Sequence, residues 1–208
     1  MARNQRESVF PVDAELAREA WLSLTENACD LLLDSVKLEG SPRSVALLTL
    51  CLEEASKATS IWTLASPAWD REGHSRTILL KPWELRSHAV KLQLAAAMTA
   101  ALGPFWGDYP TEYSTVEEDR SVAAAQNARK MAAFYVDVSS DSVSRPADLD
   151  LADYRQQVEQ VAGVLEMYLI QENSRVQGID GVVVDPRVSQ MHLRIMAEAH
   201  PGMSEWEG

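Results

Sequence analysis

The sequence has little cysteine, no long apolar run, no excess of positive charge and almost nothing that reads as a strand. Only Cys29 and Cys51 occur in 208 residues, each inside an apolar helical pattern, with neither CxxC spacing nor a cluster of histidine partners. That argues against a disulfide framework and against a cysteine-based metal site. It fits small buried thiols in a reduced compartment. No apolar stretch approaches the ~20 residues that span a bilayer. The start of the chain, "MARNQRESVF", is polar where a signal peptide would be apolar. A cytoplasmic protein with no membrane partner is therefore expected. The formal net charge of −12 repels nucleic acid at long range, which excludes a general RNA- or DNA-coating protein but leaves room for a local basic pocket. Internal repeats, low-complexity tracts and domain-splitting linkers are absent, so a single domain over residues 1–208 with short disordered ends is expected.

What is present is a globular composition, 46% hydrophobic and 24% charged, arranged as helices. The first runs from about Asp13 to Lys37, with Leu16, Ala20, Leu24, Ala28 and Leu31 as its apolar stripe. "EGSP" breaks the chain, and Ser41 and Pro42 suit the cap and first turn of a second helix reaching about Leu64. "SPAWDREGHSR" reads as a loop. A third helix covers about Pro82 to Leu102 and stops at "GPFWGDYP". A fourth starts near Ser114 or Thr115, with Glu117 and Glu118 favouring its dipole, and ends near Phe134. "SSDSVSRPADLD" is a second loop. A fifth covers about Leu151 to Arg175 on the stripe Tyr154, Val158, Val161, Leu165 and Tyr168, and a shorter sixth lies in 186–200. The only strand-like runs are 134–138 and 181–185, both short. The reading is an all-α antiparallel bundle of five to six helices.

Three of these helices carry charge on apolar faces. In "ALLTLCLEEASKA", Glu54 is the only ionisable group in the stripe Leu47, Leu50, Ala58, Ile61 and Ala65. Glu53 lies on a neighbouring stripe, four residues before Lys57, a favourable ion-pair spacing. In "SHAVKL", His88 and Lys91 share one face, and in "NARKMAAFYVDV" Arg129 sits among Val122, Ala125, Ala132 and Val136. A carboxylate in an apolar stripe requires a partner. If the three faces meet, Glu54, Lys57, His88, Lys91 and Arg129 form a buried polar cluster, with Glu53 holding Lys57. Whether such a cluster is structural or catalytic is open at this point. Glu53, Glu54 and His88 also permit a carboxylate–imidazole metal set, although the Glu-x-x-His spacing of di-iron bundles is absent.

The ordered set Glu-Glu-x-x-Lys, His-x-x-Lys and Arg followed by Tyr-Val-Asp resembles the AbiV family of abortive-infection proteins, placed in the HEPN superfamily, over roughly residues 13–170. The resemblance implies a HEPN-like bundle, a homodimer, a role in bacterial phage defence, a phage-encoded activator and RNA cleavage without metal or cofactor. HEPN nucleases typically carry Arg-x(4–6)-His; here Tyr135 stands six residues after Arg129, and tyrosine is a poorer base than histidine at neutral pH. Arg187 with His192 and Arg194 with His200 show the spacing again near the end of the chain, as loose patterns of the kind chance supplies. On this reading His88 is base or acid, Arg129 and Lys91 stabilise phosphate charge, Glu54 and Lys57 orient them, and Tyr135 donates a hydrogen bond. The alternative is a non-catalytic defence protein that binds a phage or host protein, its polar cluster purely structural.

Overall fold

Helix starts follow their caps. The computed structural model describes residues 9–69, 77–81, 85–101, 114–177, 179 and 183–200. The Asp13 carboxylate accepts from the Leu16 amide at 2.7 Å and opens α1, Ala14–Lys37. Gly40 then takes φ 81°, the left-handed conformation a glycine adopts freely, and turns the chain into α2, Pro42–Trp69. Ser87 precedes α3, His88–Ala101. Thr115 and Glu118 form a reciprocal capping box at the start of α4, Val116–Phe134: the Glu118 amide donates to Thr115 Oγ1 at 3.2 Å, and the Thr115 amide donates to Glu118 Oε2 at 2.6 Å. α5 spans Tyr154–Gln177. α6 spans Pro186–Ala199 and is capped by Asp185, whose carboxylate accepts from the Arg187 amide at 3.0 Å.

Two small strand pairs accompany the helices. β1, Phe10–Val12, pairs antiparallel with β2, Ile78–Leu80. β3, Asp137–Val138, pairs with β4, Val143–Ser144. The first pair corrects the expectation that no strand forms: each partner has three residues, too few for a periodic signal. Of the two runs that looked strand-like, 134–138 contributes β3. The other has no regular structure over 183–185, and 181–182 lie outside the described residues, as do the expected disordered ends.

α1 and α2 pack as an antiparallel hairpin, on which α5 and α6 close one side and α3 and α4 the other. One continuous core draws on all six helices. The expected α5 stripe is buried at every position. The α1 stripe is rotated by about one residue: Ala17, Trp21, Thr25, Ala28 and Leu32 face inward, and Leu16 is 55% exposed. Trp21 decides this, because its large ring gains most from burial and packs at a tilt against Trp69, centroids 5.8 Å apart. Trp69 in turn donates from Nε1 to the Ala14 carbonyl at 3.0 Å. These contacts carry α2 past Leu64, through Pro67, into what the sequence presents as a loop. At the opposite end the Tyr154 hydroxyl donates to the Ser35 carbonyl at 2.7 Å, tying α5 to the end of α1.

Candidate functional site

Glu53, on α2, is 1% exposed. Its two oxygens meet three nitrogens from two other helices. His88 Nδ1 lies 2.6 Å and Lys91 Nζ 2.7 Å from Oε2, and Lys130 Nζ donates to Oε1 at 2.6 Å. His88 and Lys91 reach the same oxygen because a spacing of three puts them on one face of α3. Lys130 arrives from α4 with Ala123 and Ala133 as the other buried residues of that helix, small enough to let α4 approach. Burial alone disfavours the Glu53 carboxylate strongly, but hydrogen bonds from Lys130, Lys91 and His88 outweigh it and hold the carboxyl below its ordinary range.

The lysines are buried with the acid, whereas the His88 side chain is 63% exposed. This gives two properties. One carboxylate faces two ammonium groups, so the cluster carries surplus positive charge inside an acidic protein. And an ionised Glu53 accepts a hydrogen bond from Nδ1–H, which leaves Nε2, unpartnered among the described residues, as the basic nitrogen of an imidazole open to solvent.

The sequence expectation is therefore half met. Glu53, not Glu54, is the buried acid at the centre. Glu54 holds Lys57 at 2.5 Å in a separate, half-buried pair on α2, so the roles of the two glutamates are exchanged. His88 and Lys91 do converge. Arg129 joins a different set: its guanidinium grips Asp153 at 2.7 and 3.0 Å and the Asp150 carbonyl at 2.9 Å, linking α4 to the start of α5. The Arg129 hydrogen bond holds the Asp153 carboxyl down at about 2. Tyr135 follows the end of α4, 59% exposed, with its ring edge on Phe134 at 6.1 Å and no contact with the cluster.

Lys130 is the residue sequence reasoning missed. Its signal is the small-residue spacing Ala123, Lys130, Ala133, seven and three apart on one helical face. The Arg129 stripe ran through Val122 and Val136, which are both exposed.

The late arginine–histidine pairs do not come together as pairs. Arg187 binds Glu19 at 3.0 Å and also Asp185, and Arg194 binds Asp30 at 2.7 Å. His200 lies 3.3 Å from the buried Glu166. Among the described residues no three His, Cys, Asp or Glu side chains gather in a way that holds a metal ion, and no helix is long and apolar enough to cross a membrane.

The described residues thus form a helical bundle in which α2 carries a buried acid, clamped by His and Lys from α3 and Lys from α4. The chain belongs to the AbiV family of HEPN proteins: the family described as HEPN_AbiV, AbiV, matches residues 16–166, a stretch that contains the whole cluster. No curated protein and no solved structure matches the chain.

Proposed function

We propose that this AbiV-family chain is a bacterial abortive-infection protein that acts as a homodimer and cleaves RNA on phage infection, with His88 as the general base. The observation that carries the reading is the solvent-open imidazole of His88, fixed at 2.6 Å through Nδ1 by the buried Glu53. A buried carboxylate behind an imidazole sets its tautomer and stabilises the imidazolium that forms on proton uptake.

In this reading His88 Nε2 takes the proton of a ribose 2′-hydroxyl. The 2′-oxygen attacks the adjacent phosphorus, the bond from phosphorus to the 5′-oxygen breaks, and water protonates the leaving oxygen. Lys91, one turn from His88 on the same face, supplies positive charge for the phosphorane. Glu53 replaces Glu54 and Lys57 as the positioning residue. Arg129, bound to Asp153, and Tyr135, exposed and away from the cluster, take no step in it. The residues taken together need no cofactor for this chemistry.

The test is cleavage of cellular RNA by the purified protein in the presence of a chelator, comparing wild type with His88→Ala and Glu53→Gln, each checked for folding. A loss of about 100-fold or more in His88→Ala is expected; equal cleavage by all three would sink the assignment.

A second reading is favoured by one surface. Phe134, Tyr135, Val136, Val138 and Val143 leave the end of α4 and the β3–β4 hairpin apolar and exposed. That surface suits a second copy or a phage-encoded activator, and equally a phage or host protein bound by a non-catalytic effector. Phage defence that survives in folded His88→Ala would favour this second reading.

A further inference from the structure

Lys130 has no step in the cleavage chemistry, yet it is the member of the cluster that ordinary packing explains least. Glu53 carries one negative charge, and Lys91 at 2.7 Å already balances it. A second ammonium group, on Lys130, is buried to 6% exposure and meets the same carboxylate at 2.6 Å. Taking an ammonium group out of water is costly, and a single acid does not repay that cost twice. A purely structural ion pair would close with one cation.

The division of the two oxygens shows what the second cation does. His88 Nδ1 and Lys91 Nζ both lie on Oε2, at 2.6 and 2.7 Å, and both come from α3. Lys130 comes from α4 and donates to Oε1. The terminal torsion of a glutamate is soft, so contacts to Oε2 alone leave the carboxylate free to turn. Lys130 anchors the far oxygen and thereby fixes how Oε2 is presented to the imidazole.

Charge is the other half. A protonated Glu53 would donate to Nδ1, and the ring's own proton would then sit on Nε2, which could take none from a substrate. An ionised Glu53 accepts from Nδ1–H and leaves Nε2 free. Burial pushes Glu53 toward its protonated form, and the largest of the contributions that oppose this is the hydrogen bond from Lys130. Ala123 and Ala133 are the other buried side chains of α4, so the Lys130 ammonium is the contact by which that helix reaches the cluster.

We infer that Lys130 is a positioning residue of the His88 site: by holding Oε1 of Glu53 it keeps the ring proton on Nδ1 and Nε2 open to a substrate. It touches no reacting atom. The consequence for cleavage rests on the reading of His88 as the base; the place of the ring proton does not.

The experiment pairs nitrogen-15 NMR of the imidazoles with RNA cleavage kinetics, on the full chain at about pH 8, above the ordinary imidazole range. The His88 signals are assigned by their loss in His88→Ala. Wild type should carry the His88 proton on Nδ1. Lys130→Met, close in length and uncharged, should let the ring relax toward the Nε2–H form that an unrestrained imidazole favours. It should also lower kcat about tenfold or more, with KM within about twofold of wild type. Lys130→Arg, which keeps a charged donor at Oε1, should restore the Nδ1–H signal and bring kcat back to within about threefold. Should Lys130→Met not fold, Lys130→Gln takes its place with the same expected direction. A wild-type ring with its proton on Nε2, an Nδ1–H signal that persists in the folded neutral variant, or no recovery in folded Lys130→Arg would each overturn the inference. A proton that moves as expected while cleavage is unchanged, or in a protein that cuts no RNA, would leave Lys130 holding the ring and remove His88 as the base.

Discussion

Glu53 and Glu172 are each 1% exposed and lie on different helices of the same bundle, yet they sit in opposite electrostatic settings. Around Glu53 two ammonium groups and an imidazole converge, and the carboxyl is held below its ordinary range. Glu172 meets Arg175 on its own helix at 2.6 and 2.7 Å, Trp62 Nε1 at 3.3 Å and Arg18 at 3.6 Å. Burial pushes the Glu172 carboxyl above its ordinary value and the Arg175 guanidinium below its own. The arginines there are also held by packing, stacked at 5.8 and 5.5 Å on the Trp69 ring. One end of the bundle uses its buried acid to gather cations and present an open imidazole. The other closes an acid and two arginines around tryptophan. Burial of an acid is thus no mark of a site; what distinguishes Glu53 is the solvent-open group it holds.

Four substitutions sharpen that contrast, from the largest effect down. Glu53→Gln leaves Lys91 and Lys130 buried without a counter-charge and should cost about 3–5 kcal/mol, read from denaturant midpoints. Glu172→Gln should cost about 1–3 kcal/mol, because Arg18 reaches solvent and Arg175 keeps its tryptophan stack; a larger loss there than at Glu53 would invert the comparison.

The two acids also oppose each other in pH. The folded pKa of Glu53 is lowered, so its contribution is present above the unfolded value and is lost as pH falls through the folded value. The folded pKa of Glu172 is raised, so the folded state binds the extra proton just above the unfolded value, and stability falls as pH rises through that window. Denaturation curves from about pH 3 to pH 7 should therefore show a shallower acid-side decline in Glu53→Gln and a steeper rise of stability with pH in Glu172→Gln. Parallel shifts in both variants would contradict the assigned directions.

Arg129→Ala removes a partly exposed pair and should cost about 1 kcal/mol or less, with Asp153 returning toward its ordinary pKa by NMR titration. Tyr135→Phe should change stability by no more than about 0.5 kcal/mol, since its hydroxyl holds nothing in the cluster.

The bundle was legible because its helices are punctuated. Asp13, "EGSP", Thr115 and Pro186 each sit at a helix boundary for a local chemical reason, and local reasons survive in sequence. The faces were harder. In α1 a single tryptophan outweighs a regular row of leucine and alanine. In α4 only Ala123, Lys130 and Ala133 are buried, so the apolar pattern there follows the exposed surface rather than the core. That one-residue error chose Arg129 over Lys130. At the site, His88 and Lys91 were legible from their shared face, while Glu53 was hidden by its neighbour, because adjacent residues on a helix differ by ~100° and either can be turned inward by contacts made far along the chain. The pairing of β1 with β2 depends on residues distant in sequence and leaves no local trace.

The Glu53–Lys130 contact spans 77 residues of chain. At ribosomal rates of roughly 5–20 residues per second, about 4–15 s separate the emergence of the acid from that of its last cation. During that interval the hairpin built on Gly40 can close, and His88 and Lys91 can reach Oε2 of Glu53, but its Oε1 stays without its own cation. The ion cluster is thereby completed late in synthesis: Oε1 of Glu53 is sealed only after the fourth helix has arrived, and a chain cut short before Lys130 leaves that oxygen open.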